Sequence, residues 1–425
     1  MTQRYNTAAT WGAVMVGLFT LLATAPAHAD WVDQGVLAQP IPSSLPQPER
    51  IEFHTMGVGD DIFSLFGHSA LCVIDSQTPT GRCYNYGTSD FRNPVWLTWE
   101  VLRGRAPFWV SRMSKPMMLR VYRRQDRTEY IQVLPLTDEE ERRLSMLLQH
   151  EALPENKHYV YNHFFDNCAT RLRDHIDTAT RGRLSAGAHD ELLSITFRDY
   201  VRQGLAMQPA LLTLTEFMLG RSLDRQVTLW EAMFLPQVMR QEVQKRFGVE
   251  PTIVYTRQKD DGSPDPNRGW QILLGIALLA LALTTTTALV SSGEQRPLST
   301  RAGRVRRLGL VVAGLLLGVP ALMIGLMIVL SSLPEFRYNE AMLVFLPTDL
   351  MLIGLSGVRL RRYLQIRVGW LAVVTVLTAV GLLSQPLWAP IALAAGCLIP
   401  LAWAEHQRTH TAGGSTTLND TDDAT

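Results

Sequence analysis

The chain has 425 residues, 47% of them hydrophobic, with 40 Lys and Arg against 39 Asp and Glu, a formal net charge of +1. That length leaves room for two or three domains, and so even a balance excludes the global field that nucleic acid or an acidic partner requires. Only four cysteines and ten histidines are present, so thiol and imidazole chemistry has few places to reside.

In chain order, Arg4, the apolar run WGAVMVGLFTLLATA and the closing Ala27-His28-Ala29 predict a secretory signal over residues 1–29. The run is shorter than the roughly 20 residues of a membrane span. A domain follows over residues 30–256, and its pattern predicts an α+β class, a small antiparallel sheet plus helices. The stretches RIEFHTMGVGD, HSALCVID and GRCYNYGT read as strands, and QTPTG between the last two makes 68–87 a hairpin. LRVYRRQ and TEYIQVLPL read as a further strand pair around 119–136. A helix follows, with Thr137 as N-cap, Glu140 at the capping-box position, and Leu144, Leu147 and Leu148 on one face. NCATRLRDHIDTAT opens the next helix, and residues 189–247 read as largely helical, broken at GRSLDRQ and Pro236.

Residues 257–269 are polar and rich in turn formers, a linker. Five apolar stretches then predict an all-α transmembrane bundle of about five helices within 270–404: residues 270–291, 308–330, 341–357, 368–384 and 387–404. Arg296, Arg301, Arg304, Arg306 and Arg307 fill the first loop, and Arg359, Arg361, Arg362 and Arg367 the third. The second and fourth loops carry only Arg337. The arginine loops are therefore expected in the cytoplasm and residues 30–256 outside. That describes a multi-pass protein of the bacterial inner membrane with its N-terminal domain in the periplasm. Residues 405–425 lack apolar periodicity and read as a disordered cytoplasmic tail.

Cys72 and Cys83 flank the hairpin turn in an oxidising compartment, which favours a disulfide over two separate buried thiols. If they face each other, Ala70 faces Asn85, and His68, Ala70, Cys72, Cys83 and Asn85 share one face of the sheet. Cys397 falls in the last apolar stretch, as a small packing residue. Cys168 is then the odd cysteine, and its setting is expected to make it reactive. Asp166 or Asn167 caps the helix, the first-turn N–H groups favour a thiolate, and Arg171 and Arg173 add positive charge. A nucleophile needs a base: His68, after a glycine at a strand start, is one candidate, and His54, His158 and His163 are others. Asn85 is positioned to hold the His68 tautomer. Tyr159, Tyr161 and Arg171 could line the site, although Arg171 could equally pair with Asp174 or Asp177 on its own helix. These histidines and the soluble cysteines show neither H-x-x-x-H nor C-x-x-C spacing, so no metal and no cofactor is expected. NPVWLTWEVL and APFWV are either lipid-facing surface or core.

FGHSALCV, YNYGTSDF and YVYNHFFDNCATRLRDHID, with LGRSLDR and EAMFLP further on, resemble the periplasmic domain of the Lnb-type family of bacterial membrane proteins over about residues 50–240. The resemblance implies a circularly permuted papain-like (NlpC-type) fold in which the histidine precedes the cysteine. It implies Cys168 as nucleophile and His68 as base, with Tyr161, Asn167 and Arg171 around them. It also implies an acyltransferase working through a thioester, with a membrane phospholipid as acyl donor and the N-terminal amine of a lipoprotein as acceptor. The same nucleophile cleaves amides in NlpC-type relatives, so a periplasmic cysteine peptidase or amidase acting on peptidoglycan is the competing expectation. A membrane-tethered binding module with Cys168 merely buried is the non-enzymatic one.

Overall fold

The computed structural model describes residues 47–291 and 301–414. The expected signal, residues 1–29, and residues 415–425 of the expected tail lie outside them; residues 405–414 continue a helix.

The N-terminal half is built on alternation. In β1 (Pro48–Met56), β2 (His68–Asp75) and β3 (Arg82–Thr88), side chains point to opposite faces in turn, and both faces are covered. Ile51, Phe53, Leu71, Val73, Tyr84 and Tyr86 share one buried cluster with Leu144, Leu148, Leu172 and Ile176 of later helices. Ala70, Cys72, Ile74 and Cys83 face the other way, onto Met118. The β2–β3 register sets Cys72 opposite Cys83 and Ala70 opposite Asn85, and Cys72 and Cys83 are disulfide-bonded. β4 (Pro107–Ser114), β5 (Glu129–Val133), β6 (His158–Val160) and β9 (Thr252–Tyr255) complete a seven-stranded antiparallel sheet ordered β6-β4-β3-β2-β1-β5-β9.

Helix α1 (Pro94–Leu102) precedes β4, with Asn93 as N-cap. Residues 115–124, expected in part as a strand, form helix α2 (Lys115–Arg124). LRVYRRQ fits a two-residue period as well as a helical one, and Pro116 in the first turn suits a helix. Packing decides: Met118, Leu119 and Tyr122, spaced at helical intervals, all cover the disulfide cluster. In α3 (Asp138–Glu151) Thr137 and Glu140 form a reciprocal capping box, and Leu144, Leu147 and Leu148 are buried. α4 (Cys168–Ala179) lies against β2 and β3. The stretch expected as largely helical also contains two short strands, β7 (Leu192–Thr196) and β8 (Gln226–Thr228), too brief to show a period. Its helices are α5 (Phe197–Gly204), α6 (Pro209–Met218), α7 (Leu229–Ala232) and α8 (Pro236–Phe247), the last starting at Pro236. The linker is tied down: Arg257 donates to Asp126 O at 3.0 Å and pairs with Asp60 and Asp261 at 2.7 Å.

The C-terminal half is helical: α9 (Arg268–Ser291), α10 (Arg301–Leu330), α11 (Gly357–Ala379) and α12 (Trp388–Gly414). Three of these, α9, α10 and α12, contain stretches long and apolar enough to cross a membrane. The expected third span, 341–357, is not an α-helix. It forms two 3-10 segments, Glu340–Leu343 and Pro347–Ile353, the second packed on α10. Pro347 and Asp349 suit that tighter winding. Gly318 of α10 admits it, since a Cβ there would meet Leu350 Cγ at 2.5 Å. This irregular backbone is enclosed by protein, with Val344, Phe345 and Leu352 fully buried. The two halves share a core: Phe217 packs on Phe345, and Asn339 Nδ2 donates to Phe217 O and Met218 O at 2.9 and 2.8 Å.

Candidate active site

β2 begins and β3 ends at the same edge of the sheet, and the N-terminus of α4 points there. Asn167, rather than Asp166, is the N-cap: its Oδ1 accepts from Ala169 N and Thr170 N, and Thr170 Oγ1 accepts from Asn167 N. Its Nδ2 donates to His163 O and Phe234 O at 2.7 and 3.0 Å, so the cap also fixes the loop before the helix. Cys168 is therefore the first helical residue and is half-buried.

Gly87, at the end of β3, measures how closely the side chains converge. A Cβ on it would lie 3.9 Å from His68 Cε1 and 4.0 Å from both Cys168 Cβ and Tyr159 Oη. Its φ of +90° is one that side chains rarely adopt, so glycine serves both the bend and the space. His68, Cys168, Gly87 and Tyr159 thus border one small volume. Backbone N–H groups of Ser69, Ala169 and Cys168 itself bond the thiol sulfur.

The electrostatics differ from the sequence expectation. Burial raises the Cys168 thiol above 9.0, and the three N–H groups and Arg127 only partly oppose it. Burial also drives the His68 imidazole down to about 3; Arg127 adds to that and Asn85 opposes it. The resting state is a neutral thiol beside a neutral imidazole, because desolvation outweighs the helix terminus. Arg171 makes a two-pronged pair with Asp166 at 2.6 and 3.0 Å and reaches Glu151 at 3.4 Å. It also lies 4.0 Å over the Tyr159 ring. Arg173 pairs with Asp174 and donates to Trp230 O. Arg127 is the cation that acts on Cys168, and nothing in the residue spacing singles it out. It is buried, donates to Gly57 O at 2.8 Å and Met56 O at 3.4 Å, and stacks 5.1 Å from the Tyr122 ring, itself 5.6 Å from His68.

Asn85 sits on the His68 side of the sheet and interacts with the imidazole, with Tyr122 Oη 3.5 Å from its Oδ1. Neither Asn85 Nδ2 nor His68 Nε2 has a well-aligned hydrogen bond, although both are buried. The rival histidines are occupied or remote. His54 bonds Glu52 at 3.0 Å, and His158 is on the exposed side of β6. His163 is enclosed by Phe66, Phe164 and Phe234 and bonds Tyr161 at 3.1 Å. Tyr161 also stacks on Phe108, 4.6 Å away. Among the described residues no group of three or more His, Cys, Asp or Glu side chains could hold a metal.

The charge state has a direct test. Alkylation of Cys168 in the folded protein should accelerate from about pH 7 to beyond the ordinary thiol value of 9.0 without levelling off, because only the thiolate reacts. Arg127→Gln should slow it at each pH, since losing the cation raises the thiol further, and Arg127→Lys should fall between. A rate that levels off near neutrality would instead reveal a preformed thiolate–imidazolium pair. The adduct is followed by peptide mass spectrometry.

No curated protein and no solved structure matches the chain. Residues 46–203 match the family described as the Lnb N-terminal periplasmic domain, a segment that contains His68, Asn85, the disulfide and Cys168. That match makes residues 46–203 an Lnb-type periplasmic domain, and three helices long and apolar enough to cross a membrane follow it.

Proposed function

We propose that the protein is a cysteine-dependent acyltransferase of the bacterial inner membrane that moves a fatty acyl chain to the N-terminal amine of lipoproteins. The observation that carries the reading is the convergence of His68 and Cys168 at one volume, with three backbone N–H groups directed at the sulfur. A cysteine opening a helix against an antiparallel sheet, with its histidine earlier in the chain, also supports a permuted papain-like reading of the domain.

His68 takes the Cys168 proton as the sulfur attacks the ester carbonyl of a phospholipid. The oxyanion of the tetrahedral intermediate is held by N–H groups at the start of α4. The carbon–oxygen ester bond breaks, and the lyso-lipid alcohol leaves with the proton from the imidazolium. The amine of the lipoprotein then attacks the thioester, its proton passes to His68, and the Cys168 thiol is restored as the amide forms. Neither partner is charged at rest, so proton transfer must accompany attack, and a site closed to bulk water suits transfer over hydrolysis.

Several passes through the bilayer fit the same reading. Arg306, near the start of α10, pairs with Glu405, near the end of α12, at 2.7 Å, which gathers those arginine-rich ends together. The opposite ends meet the periplasmic domain, where Gln385 Nε2 donates to Leu219 O at 2.6 Å.

The covalent intermediate is the test. The full chain, purified into vesicles of a phospholipid with one acyl composition, should yield a Cys168 peptide heavier by that acyl group, and hydroxylamine should remove it. Absence of the adduct together with cleavage of peptidoglycan fragments would establish the amidase reading in its place.

A further inference from the structure

The two apolar stretches around residues 94–110 have different fates. Phe108 and Val110 of β4 are core, but α1, PVWLTWEVL, is apolar around most of its circumference and only partly covered. Leu97 enters the periplasmic core, and Trp99 packs against the cluster that contains the membrane helices. Val95 remains 80% exposed and Trp96 46%, and Phe91 and Leu102 are exposed beside them. Adjacent large apolar side chains left in the open mark an interaction surface.

Where α1 is tied identifies the occupant. Ser331 Oγ donates to Leu102 O at 2.5 Å, Ser332 N to Arg103 O at 3.1 Å, and Ser332 Oγ to Gly104 O at 3.2 Å. These serines directly follow Leu330, the last residue of α10, on which Val329 is 79% exposed. The end of α1 is thus level with the point where a membrane-crossing helix reaches the periplasmic domain. Trp270 and Trp388, both exposed, open α9 and α12 at their domain-facing ends. Tryptophans gather at membrane–water interfaces, and Trp96 extends that belt onto the periplasmic domain. A second protein would need a surface matched to this helix, whereas a bilayer already surrounds the helices to which α1 is bonded.

We propose that α1 is a membrane-surface foot, with Val95 and Trp96 inserted into the periplasm-facing leaflet of the bilayer crossed by α9, α10 and α12. The foot does not depend on acyl transfer, but it would bring lipid close to the site. Phe91 is 6.4 Å from Phe108, and Phe108 is 4.6 Å from Tyr161 and 6.4 Å from Tyr159, whose hydroxyl borders the Cys168 volume.

The test places an environment-sensitive dye on the full chain in lipid nanodiscs, in a Cys168→Ser background, at Val95→Cys and separately at Trp96→Cys. A control dye goes at Leu192→Cys, an exposed position on β7. At 95 and 96 the emission should shift to the blue and fall about twofold when shallow nitroxide lipids are included, as for a group ~5–10 Å into the headgroup–acyl boundary. The dye at 192 should do neither. Water-like emission at both 95 and 96 would overturn the proposal. So would a blue shift that nitroxide lipids do not quench, which would mean that a protein surface covers the helix.

Discussion

Replacing Cys168 with alanine should leave lipoprotein N-termini unacylated in a strain whose N-acylation depends on this protein, with loss to the limit of detection by mass spectrometry. No other described thiol can substitute: Cys72 and Cys83 are bonded to each other, and Cys397 is buried in α12. His68→Ala should be nearly as severe, about 10²–10⁴-fold, the usual contribution of a positioned proton acceptor. The dependence on a base is sharper here because the thiol is raised and the imidazole lowered by burial, so few thiolates exist before the substrate arrives. Without an adjacent base, attack would rely on that small population. Both variants should fold, because neither side chain carries a buried ion pair or a cap. N-acylation that persists unchanged in both would refute the acyltransferase mechanism.

The second large effect is on stability and lies in the C-terminal half. Asp349, in the second 3-10 segment, is fully buried and receives Arg367 through two bonds of 2.7 Å. Tyr363 Oη adds a third at 2.8 Å, and Arg367 also donates to Val344 O at 2.9 Å. This pair links α11 to the segment that takes the place of a continuous helix. Removing one member strands a buried charge, so Arg367→Met or Asp349→Leu should cost about 3–5 kcal/mol. The double variant should recover most of the loss, because a well-packed apolar pair avoids the desolvation of both ions. Thermal unfolding in detergent, with protease sensitivity around residue 349 as a second readout, measures both effects. Single variants within about 1 kcal/mol of the parent would mean that water reaches the pair.

Local chemistry was legible wherever neighbouring residues alone decide it. The Thr137–Glu140 capping box and the buried Leu144, Leu147 and Leu148 follow from spacing within one helix. The two cysteines flanking a turn set the β2–β3 register, which by the two-residue period puts His68 and Asn85 on one face. Ambiguity entered where one sequence satisfies two periods. LRVYRRQ is helical because Met118, Leu119 and Tyr122 must cover the disulfide, and only tertiary contact chooses between the periods. Residues 341–357 are apolar enough for a span, yet Pro347 and buried Asp349 make them 3-10 turns. Hydropathy counts apolar content and is blind to a partner such as Arg367 on another helix.

The sequence by itself determined the organisation of this protein: a mixed domain joined to apolar helices, a cysteine at a capped helix start and a histidine at a strand start. Those features depend on residue order and short-range periodicity. The charge of the site was decided only by the tertiary structure. Arg171, four residues beyond the helix cap, is taken by Asp166 and Glu151, while Arg127, remote in sequence, is the cation that acts on Cys168. Burial raises the thiol, against the direction a helix terminus alone implies, and lowers the imidazole, because desolvation depends on everything that surrounds a group, and a linear sequence does not contain those surroundings.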